Sequence, residues 1–174
     1  MEYVVKNEII DPRAAFIVDV LAMKGWTISF AESCTAGLAA SHLVDVPSAS
    51  KVFNASFVTY SNEAKIKYLG VREDSIARRG VVSEKVAIQM AVGAAKANGA
   101  QVGVGITGIA GPTGGTSEKP VGMVCFGFFI DGRTFSATKQ FGSIGRDAVR
   151  LSSVDYVFSF LMSMLVLLQK NENL

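Results

Sequence analysis

The hydrophobic pattern in the first half of the chain switches between the period typical of helices and the alternation typical of strands. Asp11 followed by Pro12 predicts a helix start, and apolar residues then recur at helical spacing until Gly25. Residues 26–31 alternate large apolar with small polar side chains, as a strand does. Beyond them the pattern predicts a short helix through about Val44, a strand at 52–60, a helix at 62–69 capped by Ser61, and a short helix around 72–79.

The second half of the chain contains a longer helix, then strands, then a final helix. Ser83 caps a helical pattern in which Val86, Met90 and Ala94 share one face. An Asp-Gly pair between two apolar stretches is a hairpin signal. The strands predicted here lie at 102–107, 121–130 and 133–141, the last with one wetter face that suits a sheet edge, and the final helix spans about 147–168.

This order of elements predicts the fold class. Strands that alternate with helices favour parallel pairing, while the closing hairpin requires at least one antiparallel pair. We therefore predict an α/β protein, a three-layer α/β/α sandwich on a mixed, mainly parallel sheet with an antiparallel C-terminal hairpin. The 174 residues are 49% hydrophobic and contain no repeat or linker, which predicts a single domain over residues 1–174.

Charge and cysteine usage argue against several classes of function. The 17 basic and 15 acidic residues are spread along the chain, without the basic stripe that nucleic-acid binding requires. The two cysteines, Cys34 and Cys125, lack CxxC spacing, and together with the one histidine, His42, they are too scattered for a metal site. We expect no nucleic acid and no metal, and a reducing cytoplasm fits this composition best.

Neither end of the chain indicates export or membrane insertion. Residues 1–11 mix charged with apolar residues and lack the uninterrupted apolar stretch of a secretory signal. The apolar stretch at 156–168 is shorter than the roughly 20 residues that span a bilayer, which favours a buried or interface helix. Because this helix is apolar beyond what one core can cover, we expect a homodimer.

Three side chains that could act as nucleophiles lie where the first strand gives way to a helix. Ser33, Cys34 and Thr35 occupy this turn, and N–H groups at the helix start could support a developing oxyanion there. From position alone, simple capping of the helix by Ser33 or Thr35 is the more common role. Cys34 is a rival nucleophile, but without a histidine nearby it is more often a small buried residue.

A serine nucleophile needs a proton acceptor, and the chain offers few. His42 lies roughly two turns into the helix after Ser33, too far to reach back to its start, so we interpret it as structural. Lys65 is the alternative if desolvation lowers its pKa enough to leave the amine neutral. Tyr60 and Asn62 could relay a proton or orient this amine, although spacing alone suits a solvated surface lysine better.

Two loops could bind an anion. Residues 107–116 are rich in glycine and follow an apolar strand, so backbone N–H groups could approach a ligand closely, although a flexible surface loop fits equally well. The loop is not a Walker motif, and the GxGxxG match at 103–108 falls inside a strand, so we discount it. Residues 142–146 precede the last helix, where N–H groups and Arg146 could hold a phosphate. A surface salt bridge suits Arg146 and its neighbour Arg150 equally well.

Four motifs, taken together, resemble the CinA C-terminal domain family. Their order and spacing extend the resemblance over nearly the whole chain, from about Phe16 to the last helix. The motifs are Ala-Glu-Ser-Cys-Thr at 31–35, Tyr-Ser-Asn-Glu-Ala-Lys at 60–65, Val-Ser-Glu at 82–84, and the stretch from Thr-Gly-Ile-Ala-Gly-Pro to Glu-Lys-Pro-Val-Gly at 107–122.

The resemblance implies a nicotinamide-nucleotide amidase, which hydrolyses nicotinamide mononucleotide to nicotinic acid mononucleotide and ammonia without metal or cofactor. It implies that Ser33 is the nucleophile and Lys65 the base, with Tyr60 and Thr107 as supporting catalytic residues. We further expect contacts with the small-molecule nucleotide substrate from Cys34, Thr35, Asn62, Gly108, Gly111 and Arg146.

One residue departs from the family pattern. Ala36 stands where the first motif usually has a glycine, and a positive φ there would strain an alanine, whereas a helical φ would make it harmless. This departure supports the main alternative, a catalytically silent nucleotide-binding or competence- and damage-related interaction module of the same fold. A second alternative is a hydrolase of another small amide.

Overall fold

The computed structural model describes residues 10–172. Most of the stretch at 1–11, which was interpreted as lacking an export signal, lies outside the described residues. In chain order the elements of the structure are α1 (Pro12–Lys24), β1 (Ile28–Glu32), α2 (Leu38–Val44), a 3-10 turn (Ala49–Lys51), β2 (Phe57–Val58), α3 (Asn62–Leu69), α4 (Glu73–Arg79), α5 (Glu84–Asn98), β3 (Val102–Gly108), β4 (Met123–Ile130), β5 (Arg133–Gln140) and α6 (Arg146–Glu172).

The five strands form one mixed sheet in the order β2-β1-β3-β4-β5. β1 pairs in parallel with β2 and β3, whereas β4 is antiparallel to both β3 and β5. Four of the five strands therefore point the same way, and β4 alone opposes them. The predicted fold class, including the antiparallel hairpin and the edge position of β5, is confirmed.

Helices cover both faces of the sheet. α1, α2 and α6 contribute to the larger hydrophobic core, together with the side chains of β1, β3 and β4 that point to that face. α3 and α5 bury a smaller cluster against the opposite face, and α4 contacts α5. Burial on both faces explains why the central strands β1 and β3 are almost entirely apolar or small.

Glycines in the central strands allow α5 to lie close to the sheet. A Cβ atom at Gly103, Gly105 or Gly127 would overlap the backbone of Ala87 or Ala91 in this helix. Two of these glycines belong to the GxGxxG match, and their role here is helix–sheet packing, as expected of glycines inside a strand. This packing places the end of β3 firmly beside the end of β1.

The strand predicted at 52–60 is shorter than its sequence suggests. Only Phe57–Val58 forms β2, and Phe53 makes one isolated bridge to Ile28. Between them, side-chain hydroxyls replace ladder hydrogen bonds: Ser29 donates to the Ala55 carbonyl at 2.9 Å, and Ser56 donates to the Phe30 carbonyl at 2.8 Å. The predicted strand at 52–60 is therefore wrong over most of its length, and only Phe57–Val58 pairs as a strand.

The last helix is longer than predicted and has one buried face. Among the described residues, α6 contains a segment long and apolar enough to cross a membrane by length and composition, with 33% of its most apolar window buried in the protein. Its inner residues belong to the main core: Val149, Val154, Val157, Phe158, Leu161 and Leu165. Arg13 of α1 donates to Asp155 at 2.6 Å and to Ser159 at 2.7 Å, which fixes α6 against α1.

Candidate active site

Ser33 lies at the end of β1, in a turn that separates this strand from α2. Its N–H donates to the Ile106 carbonyl on β3 at 3.0 Å, and its own carbonyl accepts from the Ala36 N–H at 3.2 Å. Because β1 and β3 are parallel neighbours, their carboxyl ends open onto the same edge of the sheet, where ligands bind in α/β proteins. The predicted position of the nucleophile is therefore at a suitable edge.

The turn is wider than predicted, because α2 begins at Leu38 rather than directly after the hydroxyl residues. Two consecutive residues of the turn are left-handed, Ala36 with φ 52° and Gly37 with φ 92°. The Ala36 conformation is thus the strained one of the two that the sequence left open, and it destabilises the fold by roughly 1 kcal/mol. Ala36 is exposed and does not line the cleft described below, so its methyl group leaves the cleft unobstructed.

Replacing Ala36 by glycine is expected to raise the melting temperature by about 2–4 °C, which corresponds to roughly 1 kcal/mol for a protein of this size. Thermal unfolding followed by circular dichroism measures this shift. Ala77→Gly is the matched control, since Ala77 is exposed within α4 and glycine there should destabilise the fold. Equal losses of stability in the two variants would contradict a strained turn.

The Glu32 carboxylate binds the backbone N–H groups at the start of α2. This carboxylate is fully buried and accepts hydrogen bonds from the N–H groups of Gly37, Ala39 and Ala40 at 3.0, 3.1 and 2.9 Å. A carboxylate is favoured at this position because the helix N-terminus carries partial positive charge. These three N–H groups already have an acceptor, so they are not available to a developing oxyanion.

Lys65 reaches Ser33 from the first turns of α3. Ser61 caps this helix by accepting from the Ala64 N–H, and Lys65 points inward with a side chain that is 1% exposed. The Lys65 Nζ lies 3.1 Å from the Ser33 Oγ. The same Nζ donates to the Thr59 carbonyl at 2.7 Å.

Burial favours the neutral form of this amine. The pKa of Lys65 is lowered from its ordinary value, chiefly because desolvation disfavours the ammonium form. No carboxylate of the described residues pairs with Lys65. A neutral amine can donate its two protons to the Thr59 and Tyr60 carbonyls and accept the Ser33 proton with its lone pair.

Cys34 does not compete with Ser33 as a nucleophile. Its side chain is 5% exposed, and burial raises the pKa of the thiol to about 11. The thiol therefore stays protonated near neutral pH, and the thiolate is the reactive form. Its neighbour Thr35 is fully buried and does not line the cleft, so the structure gives no contact surface for the substrate at that predicted position.

An open cleft of about 350 Å³ lies above the Ser33–Lys65 pair. Its walls contain nearly all of the predicted site residues. Those present are Ser33, Cys34, Tyr60, Asn62, Lys65, Thr107, Gly108, Gly111 and Arg146, and they are joined by Val81, Val82, Ile109, Ala110, Thr113 and Gly114. Thr107 stabilises the wall of the cleft, because its hydroxyl donates a hydrogen bond to the Val81 carbonyl at 3.1 Å.

Arg146 lies at the mouth of this cleft, at the first position of α6. Its guanidinium donates to the Gly111 carbonyl at 2.9 Å and to the Tyr60 hydroxyl at 3.1 Å, which links the glycine-rich loop to the far wall. The remaining N–H groups of the guanidinium fork are available to an anion. The cleft thus combines a half-buried serine beside a buried lysine with an exposed cation at its entrance.

Other predicted roles lie outside this cleft. A ring nitrogen of His42 lies 3.0 Å from the Leu38 carbonyl within α2, which agrees with a structural histidine. Within residues 10–172 no group of three or more histidine, cysteine or acidic side chains could hold a metal ion.

Sequence reasoning missed two charged residues beside Ser33. Glu32 belongs to the first motif but was not a candidate, although a buried acid at the end of an apolar strand is a usable signal. Arg150 was noted only as a neighbour of Arg146, yet it donates to the carbonyls of Cys34 and Thr35 at 3.1 Å each. Nothing in the sequence indicates this contact, because it joins backbone and side chain across more than 100 residues.

The model of the CinA C-terminal domain family matches residues 10–165, and the chain belongs to this family. The fold agrees, because the structure superimposes on solved CinA superfamily proteins. A protein from Enterobacter cloacae has a TM-score of 0.86 at 28% identity, covering 95% of this chain and 98% of that one. A competence/damage inducible protein from Agrobacterium tumefaciens has a TM-score of 0.81 at 35% identity, covering 90% and 98%.

Among curated relatives, the chain is 50% identical over 140 residues to the nicotinamide-nucleotide amidohydrolase PncC of Enterobacter agglomerans. That match covers 80% of this chain and 84% of the relative. A CinA-like protein from Kosmotoga olearia is 48% identical over 144 residues, which cover 83% of this chain but only 35% of the longer relative. The chain therefore corresponds to about a third of that longer protein.

Proposed function

We propose that this protein is a nicotinamide-nucleotide amidase, which hydrolyses nicotinamide mononucleotide to nicotinic acid mononucleotide and ammonia. The observation that carries the proposal is the 3.1 Å contact between the Ser33 hydroxyl and the buried Lys65 amine. The likeness to PncC over 84% of that protein's length supports the choice of substrate. The intact pair favours an enzyme over a silent binding module.

In the proposed mechanism, neutral Lys65 accepts the Ser33 proton as the serine oxygen attacks the carboxamide carbon. The tetrahedral intermediate collapses, and the Lys65 ammonium returns the proton to the departing nitrogen, which leaves as ammonia. Water then attacks the acyl-enzyme ester while Lys65 accepts its proton, and Ser33 is released when that proton returns to its oxygen. No step in this sequence requires a metal or a cofactor.

The residues that line the cleft support a nucleotide substrate with an anionic end. Lys65 and Ser33 lie at its base, whereas the exposed Arg146 stands at its mouth beside Tyr60. A carboxamide at the base would leave the phosphate of the substrate near the guanidinium, which binds phosphate through two parallel N–H groups. We propose that this reaction takes place in the cytoplasm, in a single-domain protein that acts as a homodimer.

The proposal is tested by ammonia release from nicotinamide mononucleotide with purified, chelator-treated protein. Nicotinamide riboside, which lacks the phosphate, and free nicotinamide serve as comparison substrates. Turnover that survives chelation and prefers the mononucleotide is expected. If folded protein releases no ammonia from the mononucleotide, the amidase proposal fails. Turnover of an unrelated amide would then favour the alternative that this protein is a hydrolase of another small amide.

Arg146→Met is expected to raise KM for the mononucleotide about 10- to 100-fold with a smaller effect on kcat, because it removes a charge-assisted contact made throughout the reaction. Steady-state kinetics on both nucleotides checks this. The increase in KM should be smaller by a factor of about ten or more with nicotinamide riboside, which has no phosphate for Arg146 to contact. Equal penalties on the two substrates would show that Arg146 does not contact the phosphate.

A further inference from the structure

Two arginines one turn apart at the start of α6 have different partners. Arg146 faces the mouth of the cleft, whereas Arg150 is partly buried and bonds the turn that carries Ser33. The Arg150 Nε donates to the Cys34 carbonyl and its Nη2 to the Thr35 carbonyl, each at 3.1 Å. Its contact with Asp147 is longer, 3.5 Å, and that carboxylate is 89% exposed, so the two carbonyls are its main partners.

The turn is thus held by opposite charges on its two sides. Arg150 binds the carbonyls of the residues that follow Ser33, and the buried Glu32 binds N–H groups at the start of α2. The left-handed Ala36 lies between these two sets of contacts, and its left-handed neighbour Gly37 donates one of the N–H groups that Glu32 binds. A non-glycine residue keeps such a conformation only where its surroundings hold it, and this is common near active sites.

We propose that Arg150 is a positioning residue for the nucleophile. By fixing the Cys34 and Thr35 peptide groups, it keeps the Ser33 Oγ 3.1 Å from the Lys65 Nζ. Arg150 does not line the cleft, so it acts on the reaction through the turn and not through the substrate. This role rests on the proposed function, in which the Ser33–Lys65 contact performs the chemistry.

Loss of the two hydrogen bonds from Arg150 should lower the rate of the chemical step and leave substrate binding nearly intact. A displacement of about 1 Å between reacting groups lowers rates on the order of 100-fold. We expect Arg150→Ala to lower kcat about 10- to 100-fold with KM within about threefold of wild type. A purely structural role, by contrast, would lower the fraction of active protein and would not respond to added guanidinium compounds.

The experiment measures how fast a small serine-directed fluorophosphonate labels Ser33, which needs no pyridine substrate. Wild type, Arg150→Ala, Arg150→Lys and the control Arg133→Ala, which removes an exposed cation in the C-terminal hairpin, are compared below their melting temperatures. Millimolar ethylguanidinium is added to Arg150→Ala to test rescue. Lysine keeps the charge but cannot donate two bonds in the geometry of a guanidinium fork.

The proposal predicts that Arg150→Ala labels about 10- to 100-fold more slowly, that ethylguanidinium restores part of the rate, and that Arg133→Ala labels like wild type. If Arg150→Ala does not fold, Arg150→Lys decides, and labelling about tenfold slower than wild type is expected of it. Wild-type labelling in a folded Arg150 variant would overturn the positioning role.

The labelling assay also separates this inference from the proposed function. A wild-type protein that is labelled at Ser33 but releases no ammonia from the mononucleotide would refute the proposed amidase activity. The comparison of the Arg150 variants would still test the positioning role of Arg150. A wild-type Ser33 that resists the probe would overturn the positioning role, because there would be no activated nucleophile to position.

Discussion

Replacing Lys65 by methionine is expected to lower kcat by about 10³-fold or more, because methionine keeps an unbranched side chain, one atom shorter, but removes the proton acceptor. The Lys65 Nζ is the basic group within hydrogen-bond distance of the Ser33 Oγ in the part of the chain that the structure describes. Ammonia release under saturating substrate measures the loss. Lys67→Met is the matched control, since Lys67 lies on the exposed side of the same helix.

The pH dependence of the wild-type enzyme follows from the lowered pKa of Lys65. Only the neutral amine can accept a proton, so kcat/KM should rise with pH through that pKa and then level off. Because desolvation moves the pKa downward, the rise should lie below the range of an exposed lysine, near 10.4. Lys67→Met should keep this profile. A rate that falls as pH increases over the same range would exclude Lys65 as the base.

The starts of α1, α3 and α5 could be predicted from sequence because their capping signals are local. Asp11, Ser61 and Ser83 each accept a hydrogen bond from a backbone N–H two or three residues later, as capping residues do. The strand at 52–60 was overestimated for the opposite reason. Apolar and β-branched composition is the same for extended chain and for a paired strand, and the hydroxyls of Ser29 and Ser56 that replace the ladder bonds act across the sheet.

The candidate site could be predicted in part. The resemblance to a family brought Ser33 and Lys65 together, although 32 positions separate them and spacing alone favoured a solvated lysine. The conformation of the turn could not be read from the sequence, because Ala36 carries no signal for a positive φ. The contact of Arg150 could not be predicted for a related reason, since its partners are backbone carbonyls, which every residue possesses. An acidic residue at the end of an apolar strand marks Glu32 in the sequence, but the N–H groups that it binds are equally unmarked.

Ser33→Ala is expected to abolish measurable acyl-enzyme and to lower kcat by at least about 10³-fold, since the attacking oxygen is removed. Mass spectrometry of protein quenched during turnover should find the acyl group on Ser33 in wild type and on no residue in the variant. Ser61→Ala is a suitable comparison, because it removes a hydroxyl that caps α3 and does not line the cleft.

The double variant Ser33→Ala/Lys65→Met gives the sharper result. If the serine and the lysine act as one unit, removal of either group already eliminates nucleophilic catalysis, and the second substitution should change kcat by less than about tenfold. Independent contributions would instead multiply, giving a loss near the product of the two single effects. A multiplicative loss would mean that Lys65 assists the reaction other than by accepting the Ser33 proton, for example by binding the substrate directly in the cleft that both residues line.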